Sequence, residues 1–274
     1  MSILDRFCWY ELRTTNPDAA RAFYAEVAGW RAEPTGASSV FRAGELRVGG
    51  LVELPERARA LGAPPHWLGQ LGVHDLDASV QRWIERGGQA LGPAQQAADG
   101  RRVAVVRDPQ GAVLALCSRG DAWGQGDAWS REGVAWHELH TTDHAQAWSV
   151  YAELFGWKAT EALHLGPEMG PYQMFSWAGA DRSVGAMAST ARAPHIHTHW
   201  LFYLTVADLD ASLARVRSLG GTVVNGPMQV RGGDRVAQCE DPQGAAFALL
   251  QRVTASRSTP GPAPSTPAPG ARRP

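Results

Sequence analysis

Apolar positions along the chain fall into one pattern that recurs four times. The run CWYELRT from Cys8 alternates, which reads as a strand with successive side chains on opposite faces. Behind it Ala20, Phe23, Tyr24 and Val27 fall at i, i+3, i+4 and i+7, the single apolar stripe of a helix. Asn16 is placed to cap that helix, Pro17 suits its first position and Gly29 its end. LGQLGVH from Leu68, AWHELHT from Ala135 and LFYLTVA from Leu201 repeat the strand, and Asp75, Asp143 and Asp208 repeat the cap. Val80, Trp83, Ile84 and Gly87 give a second stripe, and Ala147, Val150, Tyr151 and Leu154 a third. Gly88, Gly156 and Gly221 are the expected helix ends. Short strands such as RVAVVRD and AVLALCS follow, joined by Asp-Pro-Gln-Gly, where Pro second and Gly fourth favour a type I turn. Each unit is therefore βαβββ.

The units pair into two halves. FCWYELRTTNPDAARAFYAEVAGW from Phe7 matches VAWHELHTTDHAQAWSVYAELFGW from Val134, an offset of 134 − 7 = 127. HWLGQLGVHDLDAS from His66 matches HWLFYLTVADLDAS from His199, and DPQGAVLAL from Asp108 matches DPQGAAFAL from Asp241, both offset by 133. The middle of the second half is longer. These matches predict a first domain over 4–119, a linker over 120–133 rich in Gly and Asp, and a second domain over 134–252. Residues 253–274 are Pro, Ala, Ser and Thr with no aromatics, a composition expected to be disordered. Trp123 and Trp129 of the linker are expected to lie on a domain surface.

A strand-first βαβββ unit used in pairs, with an Asn/Asp-capped helix and a DPxG hairpin before its last strand, resembles the vicinal oxygen chelate superfamily of glyoxalase, bleomycin-resistance and extradiol dioxygenase relatives. The likeness covers nearly everything but the linker and tail. It implies an α+β fold of four tandem βαβββ modules, forming two incomplete barrels with helices outside and a cleft within each. It also implies a monomer with pseudo-dimeric halves, or a homodimer. Metal-using members take ligands from two matching first-strand positions and from a Glu on the last strand. Carried over, these fall on Trp9, Leu68 and Ala115 in the first half, and on Trp136, Leu201 and Ala248 in the second. None can hold a divalent metal, which wants imidazole, carboxylate or thiolate. The resemblance thus supports the fold and argues against the usual metal chemistry, so no cofactor is expected.

Alternation places Cys8, Tyr10 and Leu12 toward the helices and Trp9, Glu11 and Arg13 in the cleft. The same rule sends Trp136, Glu138 and His140 into the second cleft, with Ala135, His137 and Leu139 opposite. A carboxylate on an apolar wall is desolvated, which suits a general base, or else pins the sheets together, for example Glu11 with Arg13. Gln70 and Tyr203 occupy the matching place in the partner units. His66 and His199 face the cleft mouths. Tyr172, Met174, Phe175, Trp177 and Met187 either wall a pocket or belong to the core. His195, His197 and His199 alternate and, with Glu138, form the alternative metal site.

Three readings follow. One is a protein that binds a small, partly hydrophobic molecule between sheets, through Trp9, Glu11, Arg13, His66, Gln70, Trp136, His140, Tyr172 and Met174. The other is an enzyme, a lyase, isomerase or dioxygenase, with Glu138, His199 and Tyr203 as its catalytic groups. A third is an interaction module in which only one half binds.

Charge adds exclusions. Twenty-six basic against 27 acidic residues leave no field for nucleic acid. No stretch is long and apolar enough to span a membrane, and no leader is read at the start, so a cytoplasmic location is expected. Three cysteines, Cys8, Cys117 and Cys239, match no metal or disulfide spacing.

Overall fold

The structure, a computed structural model, describes residues 4–36, 38–97, 99–118 and 133–253. The expected linker and tail, with Trp123 and Trp129, lie almost wholly outside the described residues. The first half comprises β1 (Phe7–Thr14), α1 (Pro17–Ala28), β2 (Arg31–Thr35), β3 (Ser38–Ala43), β4 (Leu46–Glu53), α2 (Glu56–Ala60), β5 (His66–Gly72), α3 (Leu76–Glu85), β6 (Gln89–Ala90), β7 (Gln95–Gln96), β8 (Arg102–Arg107) and β9 (Val113–Cys117). The second comprises β10 (Val134–His140), α4 (His144–Phe155), β11 (Lys158–His164), β12 (Pro171–Ser176), β13 (Gly185–Ala188), a short 3-10 turn, β14 (His199–Thr205), α5 (Leu209–Ser218), β15 (Thr222–Gln229), β16 (Arg235–Glu240) and β17 (Ala246–Gln251).

Each half builds one mixed sheet. Its order is β2-β3-β4-β1-β5-β9-β8-β6 in the first half and β11-β12-β13-β10-β14-β17-β16-β15 in the second. The two modules of a half therefore join edge to edge within that half, through the antiparallel pairs β1–β5 and β10–β14. An ion pair between Arg231, beyond β15, and Glu161 of β11 (2.9 Å) joins opposite edges of the second sheet, so this sheet curls almost into a barrel.

Local chemistry explains the helices. The side chains of Asn16, Asp75, Asp143 and Asp208 each accept from a backbone N–H of the first turn, and Pro17 stands at the first helical position. Gly29 and Gly156 end α1 and α4 in the left-handed conformation. For α3 and α5 the left-handed residues are Gly87 and Gly220, one position before the expected Gly88 and Gly221. Those two are glycines for space: a Cβ on Gly88 would stand 2.2 Å from the Trp83 indole, and one on Gly221 2.8 Å from the Glu240 carbonyl. The α3 stripe also shifts, to Leu76, Ser79 and Trp83, leaving Ile84 44% exposed. In α4 Phe155 is buried where Leu154 is expected, and Leu154 is partly buried against the core.

One continuous apolar core spans both halves. At its centre the strands meet directly: Phe7 stacks on His137 (5.2 Å) and meets Phe202 edge-on (5.4 Å). Gly69 and Phe202 occupy matching positions of the two halves. A Cβ at Gly69 would stand 2.5 Å from Phe202 and 2.6 Å from Phe7, so the phenyl ring fills the space that the glycine leaves. Gly69→Ala should cost about 1–3 kcal/mol by overpacking. Adding Phe202→Leu should recover part of it, although Phe202→Leu alone destabilises. Denaturant midpoints of the four proteins give this cycle, and simple additivity would contradict the packing.

Candidate functional site

Both clefts are lined by the strand faces opposite the core, and their chemistries differ. In the second, register puts Tyr172, Met174, Ala186, Glu138, Leu201, Tyr203 and Ala248 on one concave wall. Leu201, Tyr203, Val236, Ala248 and Leu250 form a small apolar cluster with Trp136 packed against it. Glu138 is buried in this wall. The Tyr203 hydroxyl donates to its Oε2, and Tyr172 also reaches the carboxylate. The Trp136 indole donates to the Tyr172 hydroxyl (3.0 Å), and the Gln238 amide to Tyr203 (3.4 Å). His140 Nε2 lies 3.6 Å from Glu138 Oε1, and its Nδ1 meets Thr190 Oγ1 at 2.6 Å. His199 stacks on His140 (4.8 Å) and its Nδ1 donates to the His197 carbonyl (2.7 Å).

Burial raises the Glu138 carboxyl above its ordinary range, against the pull of the two tyrosine hydroxyls and of His199. Burial likewise holds His140 and His199 down at about 4, so both are neutral near pH 7. The site is thus a buried carboxyl with donors on two sides and neutral imidazoles beside it. It can bind a donor group of a ligand or exchange a proton with it.

The first cleft is filled differently. Arg13 Nε pairs with Glu11 (2.8 Å). Arg47 and Arg101 stand over the half-buried Trp9 ring at 5.4 and 5.6 Å. Arg101 donates to Gln70 Oε1 (2.9 Å) and to Asp99 (2.8 Å). His66 holds the Pro64 carbonyl, and burial lowers its pKa. The expected cleft residues Trp9, Glu11, Arg13, His66 and Gln70 do share one face, opposite the core. Arg47, Asp99 and Arg101 escaped the sequence reading because they lie outside the repeated first-strand motif. Gln238 escaped for the same reason.

Cys8 corrects the face assignment. A β-bulge between Phe7 and Trp9 turns it out of the core, toward Cys117 on the cleft side. His137, which alternation puts opposite the cleft although helix packing does not want an imidazole there, is buried against the core aromatics. Its Nδ1 donates to the Val184 carbonyl, so its Nε2 accepts from the Tyr10 hydroxyl at 2.6 Å. Phe175, Trp177 and Met187 belong to the core, whereas Tyr172 and Met174 face the cleft. His195 and His197 are exposed, and no group of three or more His, Cys, Asp or Glu stands together as a metal site among the described residues. An open groove of about 590 Å³ between the halves, lined by Val27, Val206, Asp208 and Arg215, contains none of these residues.

Comparison with known proteins follows this division. The Glyoxalase/Bleomycin resistance protein/Dioxygenase superfamily matches residues 133–249, and the Glyoxalase-like domain matches residues 9–117. The chain is 30% identical to a protein of Mycobacterium tuberculosis named "Putative glyoxylase CFP32", over 89% of this chain and 93% of that one. It is 26% identical to the anthracycline biosynthesis protein DnrV of Streptomyces peucetius, over 89% and 92%. Among solved structures, a Mn(II)-bound glyoxalase from Novosphingobium aromaticivorans superposes with a TM-score of 0.62 at 16% identity, over 93% of this chain and 84% of that one. At that identity the likeness concerns the fold.

Proposed function

Because the chain belongs to the Glyoxalase/Bleomycin resistance protein/Dioxygenase superfamily, we propose that its second cleft holds a small, partly hydrophobic molecule anchored on Glu138. The observation that carries this reading is a buried carboxyl, bonded to Tyr203 and Tyr172, set in an apolar wall. Such a wall binds apolar surface, and its few convergent polar groups fix orientation. The ligand therefore carries a hydroxyl or amine for Glu138 beside an apolar body. The positions from which metal-using relatives take ligands are Trp136, Leu201 and Ala248 here, so these residues do not fit a metal and the binding is metal-independent. Elemental analysis finding a stoichiometric transition metal would overturn that part.

Tryptophan fluorescence titration against a panel of aromatic phenols and amines tests the anchor. Ligands that bind should lose at least about tenfold in affinity in Glu138→Gln, roughly 1.4 kcal/mol. Equal affinities for both proteins would remove Glu138 from the site.

The raised Glu138 carboxyl also favours a second reading, an acid/base enzyme of the lyase, isomerase or dioxygenase kind. There Glu138 exchanges the proton, Tyr203 holds its carboxylate form and His199 contacts substrate. Mass spectrometry of incubated ligands separates the readings, since new product supports the enzyme and unchanged ligand supports binding.

A further inference from the structure

The first cleft holds a pair of thiols for which the ligand-binding reading has no use. Cys8 and Cys117 are 109 positions apart along the chain (117 − 8 = 109), yet their sulfurs lie 3.4 Å apart. The bulge in β1 places Cys8 on the cleft side, where it is partly exposed and its thiol donates to the Gln70 carbonyl (3.0 Å). Cys117 is buried beneath it on β9. The Arg101 guanidinium, itself only 6% exposed, reaches the Cys117 sulfur. The matching positions of the second half are Ala135, Leu250 and Asp234, so sulfurs and guanidinium occur together in one cleft only. The pair is no product of duplication, and the bulge recurs in β10 without it.

We propose that Cys8 and Cys117 are an oxidisable dithiol, converted by peroxide to a disulfide across the floor of the first cleft.

Cys8 hydrogen bonding and the Arg101 charge lower the Cys117 pKa, while burial raises that of Cys8, so Cys117 is the more readily ionised of the two. The thiolate sulfur attacks one peroxide oxygen. The O–O bond breaks, giving a sulfenic acid, and the departing hydroxide takes up a proton as water. The second sulfur then displaces the sulfenic oxygen, which leaves with the remaining thiol proton as a second water. Two thiols lose two electrons and two protons, and one peroxide is reduced to two waters. Closure needs the sulfurs to move from 3.4 Å to about 2.05 Å. The bond would join β1 and β9 across the intervening β5, with Cys8 partly exposed at the cleft, where a reductant reaches it.

Thiol titration after denaturation, with peptide mapping by mass spectrometry, tests this on the full chain. Untreated protein should show three thiols. Mild hydrogen peroxide on the folded protein should leave one, Cys239, which burial in the core raises to about 12. A Cys8–Cys117 linked peptide, about 2 Da lighter than the sum of its thiol forms, should appear and vanish with dithiothreitol. The Cys8→Ala/Cys117→Leu protein adopts the residues of the second half, so it should fold and keep one thiol before and after peroxide. Three thiols persisting after peroxide would overturn the proposal. So would oxidation of Cys8 and Cys117 without a linked peptide, or a bridge to Cys239.

Discussion

Between pH 6.5 and about 4 the fold should lose stability steeply as pH falls, with at least one proton taken up on unfolding. His137 drives this most directly. Burial between the halves holds its imidazole down at about 4, against an ordinary value of 6.5. Both ring nitrogens are engaged: Nδ1 donates to the Val184 carbonyl and Nε2 accepts from Tyr10, so a second ring proton must reverse the bond to Tyr10 and bring a charge into the core. Above pH 6.5 the ring is neutral whether folded or unfolded, and its full stabilisation is present. As pH falls, the unfolded chain binds a proton that the fold refuses, and stability drops about 1.4 kcal/mol per pH unit. Below about 4 the folded ring protonates too and the loss levels off, at roughly 3 kcal/mol for His137 alone.

His140 and His199, also held down at about 4, act in the same direction. Buried carboxyls oppose them: Glu138, Asp108 and Asp241 are raised, so their stabilisation is present at low pH and lost as pH rises through their folded pKa values. The carboxyl contribution flattens the acid end of the profile, while the histidines set the slope near pH 6. Urea denaturation at half-unit steps measures it. His137→Gln, which retains a donor for Val184 and an acceptor for Tyr10, should reduce the slope by about one proton. An unchanged slope would mean that His137 is protonated in the fold.

The parts of this arrangement that sequence could reveal are those fixed by neighbours in the chain. Caps at Asn16, Asp75, Asp143 and Asp208 are local, and so is the buried stripe Ala20, Phe23, Tyr24 and Val27. Alternation along β10 and its match to β14 was enough to put Glu138, His140, His199 and Tyr203 on one face. Alternation fails where a strand gains a residue: the bulge flips Cys8, and nothing in CWYELRT signals it. Arg101 lies immediately before β8 and Gln238 in β16, strands whose place in the sheet follows only from topology, so their approach to Gln70 and Tyr203 is not written in local spacing. The same limit hides contacts between halves. Asp-Pro-Gln-Gly was legible as a turn, and its i to i+3 bond from Gly111 N–H to the Asp108 carbonyl (3.1 Å) is present. That its aspartate also reaches across to the other half was not legible.

Removing either turn aspartate should cost about 3 kcal/mol or more, because each binds its own hairpin to the opposite half. Asp108 Oδ1 accepts from the N–H groups of Gln110 (2.9 Å) and Ala112 (2.8 Å), while Oδ2 accepts from the Tyr151 hydroxyl of α4 (3.2 Å). Tyr151 in turn accepts from the Trp200 indole (3.1 Å). Asp241 repeats the arrangement with Gln243, Ala245, Tyr24 and Trp67. Both aspartates are buried, so Asp108→Ala leaves three donors without their acceptor, those of Ala112 and Tyr151 buried and that of Gln110 half-buried. At roughly 1–3 kcal/mol for each buried unsatisfied group, about 3 kcal/mol is the low end, or ~6–12 °C in Tm for a chain of this size. Asp241→Ala should match it, and the double variant should approach the whole stability of an ordinary domain, about 5–15 kcal/mol. Hairpin and cross-half contributions separate through Tyr151→Phe, which leaves the turn intact and should cost about 1–2 kcal/mol. In the cycle with Asp108→Asn, which keeps the turn acceptor, Asp108 and Tyr151 should couple by about 1 kcal/mol. Coupling near zero would reduce Asp108 to a turn residue and leave apolar packing alone to hold the halves together.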